Sequence, residues 1–270
     1  MRKFILTLAL LASTGTAHAI ADTVFVTPTN LQGWVSDDTR APGTAAITPV
    51  HPQSGNGSFE FITTGANDKA NASLYWTPGS TANPFGVVTT IGNLSTLTYD
   101  WFRSSASTSV SLEMPALRFY FINADGKFGS LVYELAYNGV NGSIDAPTDS
   151  WQTADLSSAQ MWMRSNVNLN AADQTMTIAQ WINPSLTKPT GAYAIDASTS
   201  IIGVSASVGS GIGGLYDGGI DNVQVGFAGG ATNTYNFEVS AVPEPSSFAL
   251  GGLGLFGVGA LVYRRRQVAA

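Results

Sequence analysis

Ala116–Tyr137 reads ALRFYFINADGKFGSLVYELAY, and its alternation decides the fold. From Leu117 to Asn123, Leu117, Phe119 and Phe121 fall on one face of an extended chain, and Arg118, Tyr120 and Ile122 fall on the other, because successive strand side chains point to opposite sides. Asn123-Ala124-Asp125-Gly126 then reverses the chain. Ser130–Tyr137 alternates in turn, with Leu131, Tyr133, Leu135 and Tyr137 set against Val132, Glu134 and Ala136. An Asp-Gly pair between two such runs predicts an antiparallel hairpin.

Working outward, the same short runs recur. Strands are expected at Val24–Thr27, Ser58–Thr64, Ala72–Trp76, Leu94–Ser104, Ala116–Asn123, Ser130–Tyr137, Ile201–Val208, Gly219–Phe227 and Thr234–Val239. Gly, Ser, Thr, Asn and Ala fill the segments between them. Helical spacing is confined to Ala172–Ile182, where Met176, Ala179, Trp181 and Ile182 predict one short helix. The expected fold is all-β: an antiparallel β-sandwich or jelly roll over residues 20–240. No internal repeat or second boundary interrupts it. The long loops Arg40–Gly57 and Asn138–Ser150 are of a size that often carries function. The chain has no cysteine. A domain of this length can bury enough surface without disulfides, so that is compatible with export, and it excludes thiol nucleophiles and thiolate metal sites.

Both ends differ from this body. Arg2 and Lys3 precede the apolar run Phe4–Ala12, and Ala17-His18-Ala19 has the small-x-small pattern of a secretory cleavage site. Residues 1–19 are therefore expected to be a signal peptide, cut between Ala19 and Ile20. The other end, residues 241–270, reads in three parts. Pro243, Glu244 and Pro245 form a rigid head that cannot continue a helix. An uncharged glycine-rich run reaches from Phe248 to Tyr263, within an expected transmembrane segment at 247–263. Arg264, Arg265 and Arg266 follow. At ~1.5 Å per residue the run spans roughly 24 Å, slightly short of a ~30 Å hydrocarbon core. In lipid its backbone must bond to itself as a helix, and the arginines are expected to stay cytoplasmic.

Charge excludes some partners. Residues 20–240 carry seven basic side chains (Arg40, Lys69, Arg103, Arg118, Lys127, Arg164 and Lys188) against seventeen acidic ones, a balance of −10. A domain so acidic is not expected to bind nucleic acid. Catalytic signals are sparse, and no catalytic residue is assigned. Once His18 leaves with the signal peptide, His51 is the one histidine, placed in a loop between Val50 and Pro52 and read as a surface residue. Glu60, Glu113, Glu134 and Glu238 could supply a carboxylate pair for glycoside hydrolysis, but no spacing puts two on one strand face. Gly209-Ser210-Gly211-Ile212-Gly213-Gly214 fits a dinucleotide fingerprint by letter only, since a strand and not a helix follows. No cofactor is assigned. Oxygen ligands make calcium the metal to consider, with Asp217 and Asp221 as the candidate ligands for a structural ion. Among six tryptophans, most are expected in the core, and Trp162 is the candidate for glycan stacking.

The Pro243-Glu244-Pro245 head, the glycine-rich span and the terminal arginines resemble the PEP-CTERM sorting signal of Gram-negative bacteria. That resemblance implies processing by an exosortase-type enzyme near the head, and passage from the inner membrane to the cell surface. It also implies association with extracellular polysaccharide and biofilm. Trp151–Leu156 and Asp217–Val225 resemble segments of carbohydrate-binding-module-like jelly rolls. The expected protein is thus exported, surface-sorted and non-catalytic, structural or adhesive in an extracellular matrix. A secreted polysaccharide-active, glycosidase-like enzyme is the alternative.

Overall fold

The computed structural model describes residues 21–77, 83–138, 145–165, 175–209 and 213–240. Residues 116–133 form the expected hairpin: β7 (Ala116–Ile122) and β8 (Phe128–Tyr133) pair antiparallel, with Leu117 opposite Tyr133 and Ile122 opposite Phe128, but Leu135–Tyr137, expected to continue the second strand, turns into a single 3-10 turn. Asn123 holds the turn, its side-chain oxygen accepting the backbone N–H groups of Asp125 (3.1 Å) and Lys127 (2.9 Å). Gly126 takes φ +74°, open to a residue without a Cβ.

The other expected strands are present as β1 (Ala21–Val26), β4 (Ser58–Thr63), β5 (Ala70–Tyr75), β6 (Leu94–Arg103), β11 (Ser200–Val208), β12 (Tyr216–Phe227) and β13 (Thr232–Phe237). Four shorter ones fall where no strand was expected: β2 (Trp34–Val35), β3 (Thr44–Thr48), β9 (Gln152–Asp155) and β10 (Met161–Arg164). Two to five residues are too few for alternation to register. The helix is a single turn, α1 (Ile178–Trp181), capped by reciprocal bonds between Thr177 and Gln180.

The strands build two sheets. One runs β10-β8-β7-β11-β5-β2. The other runs β1-β13-β12-β4-β3, with β6 beside β12 and β9 beyond β6. Its axis is β12. On one edge β12 pairs with β6; on the other it pairs with β4 through Tyr216–Ile220 and with β13 through Val223–Gly226. The partner changes at Asp221-Asn222, so the sheet forks there. All named pairs are antiparallel except β1 with β13, which is parallel.

The inner faces meet in one aromatic-rich core. Trp34 stands edge-on to Tyr235 (5.6 Å) and Phe237 (5.1 Å), and Leu117, Phe119 and Phe121 are wholly buried, as their face of the hairpin requires. Among the described residues no helix is long and apolar enough to cross a membrane. The signal-peptide residues Ala17, Ala19 and Ile20 lie outside the described residues, as do segment 247–263, Pro243, Glu244, Pro245 and Arg264–Arg266.

Candidate functional site

The outer face of the six-stranded sheet carries the Arg118–Tyr120–Ile122 side of the hairpin. Strand register lays its residues out in rows. Trp162, Val132, Arg118, Ser205 and Ser73 form one row. Arg164, Ser130, Tyr120, Gly203 and Tyr75 form the next. In that second row, Tyr75 and Tyr120 stack with centroids 5.4 Å apart and planes 22° from parallel. Phe128 extends the stack beyond Tyr120, at 5.3 Å and 24°. Tyr120 is buried, while the end rings Tyr75 and Phe128 are 44% and 55% exposed.

Gly203 makes this stack. It pairs with Tyr120 on one side and Tyr75 on the other, so the two rings meet across a position without a side chain. A Cβ there would come 2.6 Å from the Leu74 carbonyl oxygen and 2.8 Å from the Tyr75 ring. The ring hydroxyls are fixed as well: Tyr75 donates to Asp37 (2.9 Å), and Ser205 donates to Tyr120 (3.0 Å).

Cavities flank the stack. One of about 370 Å³ lies over Tyr75, Tyr120, Phe128, Arg118 and Arg164. A second of about 230 Å³ is lined by Asp38, Arg40, Lys69, Arg118, Glu134 and Trp162, among others. Arg118 belongs to both. It is 7% exposed, bonds Ser207 through one guanidinium nitrogen, and leaves its Nε with no hydrogen-bond partner among the described residues. Asp38 is paired with Lys69. Partial burial opposes the Asp38 carboxylate, but the Lys69 bond and the Lys69, Arg118 and Arg164 charges hold its pKa below the ordinary value.

A third cavity, about 400 Å³, shares Arg118 and Glu134 with the second and adds Glu113, Met114 and Tyr137. Burial pushes Glu113 up to about 7, against Ser109 and the Arg103 charge. Burial likewise raises Glu134, against the Trp162 indole and Arg118. Two of the four glutamates singled out in the sequence therefore line one cavity. Strand spacing could not show this, because Glu113 comes from the loop before β7 and Glu134 from the end of β8.

Trp162 lies on this face, half-buried, in the cavity beside the stack. Trp34, Trp76, Trp101 and Trp181 are core. The stacking residues Tyr75 and Phe128 were missed. The hairpin pattern had put Tyr120 beside Arg118, but nothing in the sequence marked Gly203 as the gap that joins Tyr120 to Tyr75.

On the other sheet, His51 corrects its expectation as a bland surface residue. Its imidazole stacks on Phe102 (4.4 Å), its Nδ1 lies 3.1 Å from Glu60 Oε2, and its backbone N–H donates to Glu60 Oε1 (3.0 Å). Asp217 approaches the same Nδ1 at 4.0 Å. One ligand atom from each of His51, Glu60 and Asp217 lies within 4.8 Å of the others, a donor set that suits zinc or a similar ion better than calcium. The structure does not bring Asp217 and Asp221 together. They sit four residues apart on β12, roughly 13 Å at ~3.3 Å per residue. Asp221 is fully buried at the fork, where its carboxylate accepts the backbone N–H groups of Asn222 (2.8 Å), Phe237 (2.9 Å) and Ser54 (3.1 Å). The Asn222 and Phe237 amides lie where β12 changes strand partner, and the Ser54 amide comes from the loop before β4.

Residues 241–266 match the PEP-CTERM protein-sorting motif. That motif marks an exported, membrane-anchored and surface-sorted substrate. Two solved structures are similar to the body. The family 11 carbohydrate-binding module from Clostridium thermocellum, in complex with a β-1,3-1,4-mixed-linked tetrasaccharide, is 13% identical with a TM-score of 0.39, over 73% of this chain and 89% of that one. The family 11 module of a cellulosomal cellulase of Clostridium thermocellum is 14% identical with a TM-score of 0.38, over 73% and 88%. No curated protein sequence matches the chain.

Proposed function

We propose that this is a non-catalytic polysaccharide-binding protein of the cell surface, released from its membrane anchor by an exosortase-type enzyme and adhesive or structural in an extracellular matrix. The observation that carries this reading is the Tyr75–Tyr120–Phe128 stack, open at both ends and bordered by a cleft. Pyranose rings present apolar C–H faces that pack against exposed aromatic rings, and the hydroxyls and charges of the cleft offer hydrogen bonds to sugar oxygens. Tyr75 and Phe128 are exposed enough to be replaced without opening the core. The test is a glycan-array screen followed by affinity electrophoresis. Retention by a bound polysaccharide should fall at least tenfold in Tyr75→Ala and in Phe128→Ala. Unchanged retention in both variants would refute this face as the binding surface.

A second reading is favoured by Glu113 and Glu134, which line one cavity with their pKa values raised by burial. A protonated carboxyl beside a second carboxylate is what glycoside hydrolysis needs. This enzyme reading predicts polysaccharide hydrolysis lost in both Glu113→Gln and Glu134→Gln. No product from any polysaccharide that the array identifies would dismiss it.

A further inference from the structure

The basic side chains are unevenly placed. Residues 20–240 carry a balance of −10, yet Arg40, Lys69, Arg118 and Arg164, four of the seven basic side chains in that span, line the one cavity beside the aromatic stack. The acids facing them are Asp38 and Glu134 in that cavity, with Asp37 nearby on the Tyr75 hydroxyl. Asp38 is taken by Lys69, and Asp37 also accepts from Asn71. Arg40 is partly engaged, donating to the Asn67 carbonyl (3.1 Å).

Two guanidinium groups remain under-used. Arg118 is more than nine-tenths buried with its Nε unpartnered, and a buried charged donor without an acceptor is costly. The Arg164 side chain is exposed and makes no hydrogen bond or ion pair among the described residues, its charge acting on Asp38 only at a distance. Both line the cavity that holds the three stacked rings. Register puts Arg164 in the Tyr120 row, two strands away, and Arg118 two residues before Tyr120 on the same face of β7.

Resting on the proposed polysaccharide-binding role, we infer that the ligand is an anionic polysaccharide: pyranose rings pack against Phe128, Tyr120 and Tyr75 while carboxylates of uronic-acid residues meet Arg118 and Arg164. A carboxylate offers two coplanar oxygens and a full negative charge to the guanidinium fork, where a neutral sugar offers only single, uncharged hydroxyl acceptors. The acidic remainder of the surface repels a polyanion, so binding is confined to this cleft.

The test uses the detergent-solubilised full chain in affinity electrophoresis against polygalacturonate, a neutral mixed-linkage glucan and dextran sulfate. Polygalacturonate should retain the protein, and retention should weaken with rising salt. Arg164→Ala should lose at least tenfold, Arg164→Lys should recover part of the loss, and Lys188→Ala, which lines neither cavity beside the stack, should behave as wild type. Because Arg164 is exposed, the variant is expected to fold, and a thermal melt checks this. Retention by the neutral glucan alone, unaltered in Arg164→Ala, would overturn the anionic assignment and leave the polysaccharide-binding role standing. Equal retention by dextran sulfate that Phe128→Ala leaves intact would reduce the cleft to an ion-exchange surface and overturn the uronate assignment. Failure to bind all three, together with a blank glycan array, would remove both readings.

Discussion

Glu60 holds His51 with both carboxylate oxygens, one on the backbone N–H at 3.0 Å and the other on the imidazole at 3.1 Å. Glu60 lies on β4 and is buried, while His51 begins the loop that crosses the outer face of the seven-stranded sheet. Further bonds fasten that loop: Ser54 to Asp221, Gln53 to Asp100 (3.1 Å) and Asn56 to Glu238. Glu60→Ala should destabilise the domain by about 2–4 kcal/mol, since it strips the loop of a buried acceptor for three donors, Ser58 included. His51→Ala should cost less, about 1 kcal/mol, because the backbone bond survives. Urea melts of the two variants would order them; a larger loss in His51→Ala would contradict this account.

Stability should depend on pH through two raised carboxyls. Burial holds Asp221 at about 7, with its three backbone donors lowering it and Glu238 raising it, and burial holds Glu113 at about 7. The unfolded carboxyls titrate near ~4. Between those values the folded chain binds more protons, so the stabilising contribution is full below about 4 and is lost as pH rises toward 7. Each group contributes on the order of a few kcal/mol to that slope. Denaturant midpoints should therefore fall from pH 4.5 to 7.5, and Asp221→Asn should flatten the fall. A midpoint that rises over this range would show the carboxyls to be ionised in the fold.

Gly203→Ala should separate two properties. The added methyl group meets the Leu74 carbonyl and the Tyr75 ring, so Tyr75 must swing away from Tyr120. Stability should drop by about 1–3 kcal/mol, as for overpacking, and polysaccharide retention should fall as far as in Tyr75→Ala. Near-ultraviolet circular dichroism would report the broken stack. Full retention with an altered spectrum would mean that the stack is not the sugar platform.

For the sorting segment, Glu244→Ala should leave an uncut, membrane-retained precursor, while Glu238→Ala at the end of the body should leave processing intact. Deleting Arg264–Arg266 should impair retention and reduce processing. Immunoblots of membrane and surface fractions, in hosts with and without exosortase, would check this. Identical size and location in both hosts would reduce the segment to an ordinary anchor.

The fold was legible wherever a strand was long enough for its two faces to differ. Leu117–Ile122 shows this, and Arg118 and Tyr120 could be placed on one face without coordinates. What stayed hidden depended on neighbours distant in sequence. Tyr75 and Tyr120 meet only because β11 brings Gly203 between them. Trp34–Val35 is two residues long and carries no period of its own. His51 looked like a loop residue because its partners, Glu60 and Asp217, come from two different strands. Asp217 and Asp221 were candidates for a calcium ion by their oxygen ligands alone, but a strand advances too far in four residues for the two to share one ion.

The parallel pairing of β1 with β13 bears on the order in which the chain can fold during export. Ala21 lies opposite Thr232 and Val26 opposite Phe237, and the Glu238 N–H closes on the Val26 carbonyl at 2.8 Å. A chain crossing the membrane from its amino end delivers β1 first and β13 last among these strands. β1 must then wait, unpaired, through nearly the whole of translocation. Its partner emerges just as the Pro243–Pro245 head reaches the membrane. Closing the sheet and engaging the sorting apparatus thus fall at nearly the same moment, so that a chain stalled or truncated before β13 would present an open strand edge to proteases in place of a finished domain.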